Sequence, residues 1–256
     1  MFKLMIKKEL KSAYPSAISL LLGFVSIFIM SLVYWYTSKA ITPNSSMFEF
    51  KGNYFEFVIF AELALILPTT FILESIRITR ELSQNGILLY LFNDHKLLRN
   101  FILTNTLAAG VIEAIKFFFL LLIIIFVFQL QLSGELIKQL FLSQLLLSPS
   151  IIGISLMGVS FVFLLGRGGQ VVPMLLLVLT VLAGAYFPIG VFPDVVQQFT
   201  KNLSPLSLLL NIMRGKEISL TTVMILNILY LSLGVSLFSS SIKIIRKQGR
   251  LPFLIR

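Results

Sequence analysis

Hydrophobic residues occur in six long runs, and polar residues are concentrated in the short segments between them. The runs cover 17–36, 55–76, 101–128, 140–165, 171–187 and 221–241. A helix of about 20 apolar residues crosses the roughly 30 Å hydrocarbon core of a bilayer. Membrane barrels show instead an alternation of apolar and polar residues. The pattern therefore predicts an all-α integral membrane protein with six transmembrane helices.

The segment before the first run, 1–14, predicts a further helix on the membrane surface. Its apolar residues fall on one helical face and its lysines on another: Phe2, Met5, Ile6, Leu10 and Ala13 against Lys3, Lys7 and Lys11. Pro15 ends this pattern, and an amphipathic helix of this kind lies along a membrane interface. A plain positively charged flank of the first span is the alternative. A cleaved signal peptide is excluded because the first run is too long for its apolar core.

A polar segment at 77–99 separates the second and third runs. Its centre is the island from Glu81 to Gly86, and basic residues flank this island: Arg77, Arg80, Lys96 and Arg99. A charged segment between two spans is accessible to a soluble protein, so we expect a docking surface for a cytoplasmic partner. The single histidine, His95, falls in this segment, and we expect it to be a solvated loop residue.

The segment 188–215 is too interrupted by proline for another span and too apolar for a solvated loop. We expect short helices that re-enter the outer leaflet, because irregular backbone at membrane depth must be surrounded by protein or water. Asp194 after Pro193 is predicted to cap one helix, and Ser204 before Pro205 to cap the next. An external loop lying on the membrane surface is the alternative.

Composition and charge agree with a membrane protein and predict its orientation. Hydrophobic residues make up 57% of the chain, charged residues 12%, and the mean hydropathy is +0.95. Fourteen Lys and Arg residues lie on the side that holds both termini, against six on the opposite side. This excess predicts that both termini are cytoplasmic in a plasma membrane. The net charge of +10 then faces anionic lipid headgroups, and no nucleic acid is expected as a partner.

Catalytic motifs are missing from the sequence. With one histidine and no cysteine, neither a metal-ligand set nor a nucleophilic triad can be assembled. The glycine-rich stretch 166–170 lacks the ending of a phosphate-binding loop, and we interpret it as a tight turn. We therefore expect a chain that binds no metal or cofactor and hydrolyses no nucleotide.

Ionisable residues inside the predicted spans are candidates for function, because charges at membrane depth are energetically costly. Glu62 has no partner nearby in the sequence, so we expect it to face a cavity or an interface. Glu113 and Lys116 lie three residues apart on one helical face, where they can form an internal ion pair. All three are candidate pathway residues, with a purely structural pair as the alternative for Glu113 and Lys116.

Three segments together resemble the ABC-2 type permeases, the membrane subunits of type V ATP-binding-cassette exporters. The first is the Lys7 to Leu10 run within the amphipathic segment, and the second is Arg80 and Glu81 followed by Gly86 and apolar residues. The third begins at Gly184 and contains these stretches: Gly184 to Ile189, Phe192-Pro193, Leu203 to Leu206, and Met213-Arg214. The resemblance extends over nearly the whole chain.

The resemblance implies a permease without an ATPase site, driven by two copies of a cytoplasmic ABC ATPase subunit that binds ATP and Mg. It also implies a second permease chain, as a homodimer or with a sister subunit. The implied contacts with the ATPase are Arg80, Glu81, Gly86, Ile87, Leu88, Leu91 and Asp94. The implied external gate consists of Phe187, Pro188, Pro193 and Pro205.

The cargo is predicted only by class. Twenty-four phenylalanines favour a hydrophobic or amphipathic peptide, antibiotic or drug, although lipid-facing side chains explain most of them. Export of polysaccharide, teichoic acid or a lipid-linked substrate by the same mechanism is the first alternative. An ion-coupled secondary transporter, using Glu113 and Lys116, is the second. An assembly factor or immunity protein without a transport role is the third.

Overall fold

The computed structural model describes seven stretches of the chain, and within them the only regular structure is helical. The described residues are 17–40, 54–84, 95–130, 134–165, 168–214, 216 and 219–248. They form eight α-helices: α1 Ala17–Ala40, α2 Tyr54–Gln84, α3 His95–Phe126, α4 Gly134–Leu165, α5 Gly168–Leu182, α6 Asp194–Leu203, α7 Pro205–Met213 and α8 Leu220–Gln248. A short 3₁₀ turn at Ile189–Val191 precedes α6. The all-helical prediction is confirmed for these residues, whereas the predicted surface helix 1–14 lies outside them.

Several helices continue past the ends of the apolar runs. α2 extends to Gln84, beyond the end of its apolar run at residue 76. α3 begins at His95, so the prediction that His95 is a loop residue is wrong. Residues such as Arg, Glu, Leu and Gln favour helix strongly. The end of an apolar run marks where contact with lipid ends. The residues that follow still favour helical backbone, so the helix continues past the run. α5 is instead shorter than its run and ends at Leu182.

Three of the described helices are long and apolar enough to cross a membrane, judged by length and composition. They include Tyr54–Leu82 in α2, Gly134–Leu164 in α4 and Leu220–Ile245 in α8. Shorter apolar stretches occupy Ala114–Phe126 in α3 and Val171–Leu182 in α5. The count of six spans therefore stays a prediction.

α2 and α4 form the inner part of the bundle. α2 packs against α3 and α4, α8 packs along α4, and α1 lies against α2 and α3. In the most apolar 18-residue stretch of α2 and of α4, 50% is buried. In the corresponding stretch of α8 only 17% is buried, so α8 lies at the periphery of the bundle. The largest fully buried side chains include Ile72, Phe117, Leu147, Leu209 and Leu210. The last two belong to the short helix α7, which packs against α2, α4 and α5.

Glycines allow α4 and α8 to approach closely. A Cβ atom on Gly153 would overlap the backbone of Tyr230, and one on Gly234 would overlap the backbone of Gly153. Gly158 faces the Ile76 side chain of α2. Small residues at crossings let helix backbones touch, and dispersion then holds them together.

One asparagine ties α8 to the proline-containing turn of α4. Pro149 lies inside α4 and has no N–H to donate. The Asn227 Oδ1 atom accepts hydrogen bonds from the Ser150 N–H at 3.2 Å and from the Ser150 hydroxyl at 2.6 Å. Its Nδ2 atom donates to the Leu146 carbonyl at 2.8 Å. The Leu146 carbonyl and the Ser150 amide are partners in a regular helix, and here both bond the Asn227 side chain.

Candidate functional site

Two tyrosines from distant parts of the chain bond the carboxylate of Glu62. Glu62 lies in α2, Tyr34 in α1, and Tyr186 in the turn that follows α5. The Tyr34 hydroxyl donates to Glu62 Oε1 at 3.2 Å, and the Tyr186 hydroxyl donates to the same oxygen at 3.0 Å. Among the described residues Glu62 takes part in no salt bridge. The site is therefore a carboxylate held by two phenols.

Glu62 also lines a cavity of about 130 Å³ between α1, α2 and α3. The lining residues are Ser26, Ile27, Met30, Ser31, Tyr34, Ile59, Glu62, Ile66 and Leu120. The Ser31 hydroxyl is already used, since it donates to the Ile27 carbonyl at 2.9 Å. Glu62 and Tyr34 thus supply much of the polarity of a mainly apolar wall. A cavity position was one of the two expected for Glu62, and a role in a pathway stays a prediction.

The other two predicted pathway residues lie on α3. The Glu113 side chain is outside the described part of the structure, so its pairing with Lys116 stays a prediction. Lys116 is half-buried and is not part of the lining of the Glu62 cavity, to which α3 contributes Leu120. In the described stretches, no group of three His, Asp or Glu side chains is arranged to hold a metal ion.

A sharp turn follows α5 and directs Tyr186 toward Glu62. Gly184 has a φ of +88°, a backbone conformation that glycine adopts without a Cβ penalty. A Cβ atom there would also meet the Ile189 side chain at 2.8 Å. The helix therefore ends earlier than the apolar run predicts, because the chain must reverse at Gly184. The gate candidate Phe187 follows and is 52% exposed.

Prolines set the starts of the next two helices. Pro188 precedes the 3₁₀ turn, and Pro193 occupies the cap position of α6. The prediction that Asp194 caps α6 is wrong, because no side-chain cap bond is formed and Asp194 is the first helical residue. An acidic residue there still interacts favourably with the positive end of the helix dipole. The prediction for α7 is confirmed, since the Ser204 side chain accepts from the Ser207 N–H and Pro205 follows it.

α7 is a buried helix and not a surface loop. Pro205 to Asn211 are all buried, as is Met213, so the alternative of a loop lying on the membrane surface is wrong for this helix. The Arg214 guanidinium donates to the Gly184 carbonyl at 2.7 Å and lies 3.9 Å above the Phe57 ring of α2. This contact joins the end of α7 to the turn that carries Tyr186. The gate role of Phe187, Pro188, Pro193 and Pro205 stays a prediction.

At the opposite end of α2, charged side chains form a short surface network. Arg77 bonds Glu74 at 2.7 Å and also bonds Glu81, one turn further along the helix. The Glu81 side chain is 53% exposed, and Arg80 is exposed beside it. The other predicted docking residues, Gly86, Ile87, Leu88, Leu91 and Asp94, lie outside the described residues. The described parts of the docking segment are therefore the end of α2 from Arg77 to Gln84 and the first residues of α3, 95–99.

A second cavity, of about 270 Å³, lies between α4, α5, α7 and α8. Its wall is almost wholly apolar, and its two polar side chains are already bonded. The Tyr230 hydroxyl donates to the Leu203 carbonyl at 2.6 Å, and the Ser204 side chain caps α7. Specific ligand sites combine apolar walls with a few available polar groups, so the Glu62 cavity is the better candidate.

Tyr34, Tyr186 and Arg214 are parts of the site that the sequence did not assign. Tyr34 lies near the end of the first apolar run, where aromatic residues are typical interfacial anchors, and the other two are only parts of a motif. Arg214 is recognisable from the sequence, because a basic residue next to an apolar helix needs a polar partner. No local signal marks the two tyrosines, which lie 28 and 124 residues from Glu62.

Comparison with known families gives one match. A family model described as ABC-2 type transporter matches residues 1–218, which include every described helix except α8. No curated protein matches the chain.

Proposed function

This chain belongs to the ABC-2 type transporter family, and from that membership we propose that it forms the translocation pathway of an exporter of hydrophobic or amphipathic compounds. The family supplies the membrane permease and has no ATPase site of its own. ATP is bound by a partner ATPase, and the permease binds no cofactor. The chain is accordingly a multi-pass membrane protein and not an enzyme by itself.

The observation that carries the pathway proposal is the Glu62 cavity. It lies against the N-terminal half of α2 and combines an apolar wall with a carboxylate and a phenol. Polar groups at membrane depth usually face a bundle interior or a water-filled cavity and mark routes for substrates. We place the pathway along α1 and α2, with Glu113 and Lys116 of α3 as further candidates.

α2 connects this cavity to the docking segment. Nineteen residues separate Glu62 from Glu81 in one continuous helix, which corresponds to about 28 Å along its axis. Pro68 lies between them, and prolines inside helices produce kinks. A push at Glu81 would therefore reach the cavity through a single helix that contains one proline. This is the geometry that a rocking motion between two states needs.

The complete assembly is proposed to contain two permease chains and two ATPase subunits. One chain provides six spans in this proposal, and the pathway lies between it and a second copy or a sister subunit. Both termini and the 77–99 segment face the cytoplasm of the plasma membrane, and the surface helix 1–14 lies beside the ATPase. The 188–215 segment faces outward, where Phe187, Pro188, Pro193 and Pro205 form the gate.

Docking on the ATPase is tested by co-purification with the ABC ATPase encoded nearest to this chain. Glu81→Arg reverses a half-exposed charge and is expected to reduce the recovered ATPase several-fold. Glu74→Gln is the control, because it also removes an ion pair with Arg77 but lies two turns away from Glu81. Exposed ion pairs contribute at most about 1 kcal/mol, so both variants should fold. Equal recovery with Glu81→Arg and with the unmodified chain would remove the docking assignment.

The cargo class is proposed from the same cavity. Its volume accommodates a small head group and not a sugar repeat, which favours an amphipathic peptide, antibiotic or drug over polysaccharide or teichoic acid. Transport of lipid-linked substrates by the same mechanism and ion-coupled transport are the alternatives. ATP-dependent uptake of a panel of such compounds into inverted vesicles separates these classes. Uptake driven by an ion gradient without ATP would contradict the proposal.

A further inference from the structure

We infer that the Glu62 cavity binds the primary ammonium group of an amphipathic cation. The inference rests on the proposed export function and specifies what the cavity recognises. It follows from three features of the site: the carboxylate oxygen Oε2, which has no donor among the described residues, the rings of the two tyrosines, and the size of the cavity.

Only one of the two carboxylate oxygens of Glu62 accepts hydrogen bonds from described residues. Both tyrosine hydroxyls donate to Oε1, and no described residue donates to Oε2. A carboxylate at membrane depth without a fixed cation is costly, and a cation that enters the cavity removes that cost. An ammonium group has three N–H donors, so one of them can bond Oε2 while the tyrosines keep Oε1 in place.

The aromatic surroundings favour an organic cation. The rings of Tyr34 and Tyr186 lie 6.3 Å apart, centroid to centroid, and both hydroxyls bond the same oxygen, while Tyr34 also lines the cavity. Tyrosine rings attract ammonium groups that approach their faces within about 6 Å. A calcium ion instead needs six to eight oxygen ligands, which one carboxylate and two phenols do not supply.

The basic side chains on neighbouring elements have other contacts. Lys39 of α1 lies 3.5 Å above the Trp35 ring, and Arg214 bonds the Gly184 carbonyl and covers the Phe57 ring. Neither forms a salt bridge with Glu62. The structure thus contains a negative site that these side chains leave open to a ligand.

The shape of the cavity selects a head group with a short apolar stem. Its volume of about 130 Å³ is close to that of an engineered cavity of about 150 Å³ that binds benzene. Ile59, Ile66 and Leu120 supply apolar walls for methylene groups. Met30 is 50% exposed and marks the opening. An ammonium group with several methylenes fits inside, and a longer tail extends through the opening into lipid.

The test is equilibrium binding of radiolabelled n-dodecylamine to the full chain in phosphatidylcholine nanodiscs, with binding to empty nanodiscs subtracted. Glu62→Gln keeps the shape of the side chain and removes its charge, and hydrogen bonds to charged groups are strong. We expect it to weaken binding by about tenfold or more. Glu56→Gln is the matched control, since it makes the same change on α2 outside the cavity lining. It should leave binding unchanged.

A second variant and two further probes keep the test decisive. Met30→Phe narrows the opening without touching the carboxylate, and it should also weaken dodecylamine binding. Dodecanol, which is neutral, and dodecyltrimethylammonium, which has no N–H donor, should bind weakly to the unmodified chain. Equal dodecylamine binding by Glu62→Gln and the unmodified chain would overturn the inference. Equal binding of either further probe would overturn the assignment to a primary ammonium group.

Failure of this inference is distinguishable from failure of the proposed function. The binding assay contains no ATPase subunit and no ATP, so it reports only on the cavity. ATP-driven transport without Glu62-dependent ammonium binding would overturn the inference alone. Glu62-dependent binding without ATP-driven transport would overturn the proposed function alone.

Discussion

Asn227 is expected to stabilise the contact between α4 and α8 more than any other single polar side chain in that contact. Replacing it by leucine keeps a similar volume and removes three hydrogen bonds, to the Ser150 amide, the Ser150 hydroxyl and the Leu146 carbonyl. Interhelical hydrogen bonds in membrane proteins contribute about 0.6 kcal/mol on average and up to about 1.7 kcal/mol. Three of them predict a loss of about 2–5 kcal/mol in the free energy of unfolding for Asn227→Leu.

The assay is unfolding in mixed micelles of dodecyl maltoside and SDS, followed by helical circular dichroism. Ser150→Ala is a graded control, because it removes one of the three bonds and should cost about 0.6 kcal/mol. An Asn227→Leu variant whose unfolding free energy stays within about 0.5 kcal/mol of the original, the usual range for a surface substitution, would show that these three bonds do not stabilise the contact.

A double-mutant cycle with Pro149 tests why the asparagine matters. Pro149→Ala restores a backbone donor for the Leu145 carbonyl and removes the clash of the proline ring with that carbonyl. The helix can then also close the next bond, from the Ser150 amide to the Leu146 carbonyl. The cost of Asn227→Leu should then fall by about 1 kcal/mol or more, within the range of couplings between contacting residues. The same cost in both backgrounds would show that Asn227 is an ordinary interhelical contact, independent of the proline.

Three further substitutions test other contacts by the same unfolding assay. Gly153→Ala should lower the free energy of unfolding by about 1–3 kcal/mol because its Cβ meets the backbone of α8. Gly110→Ala is the control and should be neutral or stabilising, because no atom lies within 4 Å of the added Cβ. Equal effects of the two substitutions would contradict the close packing of α4 and α8. Ser207→Ala should be neutral or slightly stabilising, since the buried hydroxyl has no partner among the described residues, and a loss above about 1 kcal/mol would reveal a hidden bond. Arg214→Gln should lower the free energy of unfolding by about 1–3 kcal/mol, because it removes the bond to the Gly184 carbonyl and the contact with the Phe57 ring. An unchanged free energy of unfolding would mean that Arg214 does not hold α7 in place.

The parts of the fold that depend on nearby residues could be predicted from the sequence. Ser204 and Pro205 predict the start of α7 because capping needs only the next three residues. Gly153 predicts a close helix crossing because its missing side chain is a local property. Asp194 shows the limit of this approach, since Pro193 already occupies the position where a cap would act.

The candidate site depends on contacts between distant residues and could be predicted only in part. Glu62 is recognisable because a carboxylate in an apolar run is unusual. Its partners Tyr34 and Tyr186 are not recognisable, because aromatic residues near span ends are common in membrane proteins. Their meeting depends on the turn at Gly184, whose positive φ brings the chain back toward α2. The early end of α5 has the same cause.

The central claim is that this permease moves its cargo only when a separate ATPase drives it. The most direct measurement reconstitutes the chain in proteoliposomes, alone and with its ATPase partner, and follows uptake of a radiolabelled amphipathic amine with and without ATP. We predict uptake only when the chain, the partner and ATP are all present. Concentrative uptake by the chain alone would contradict the account.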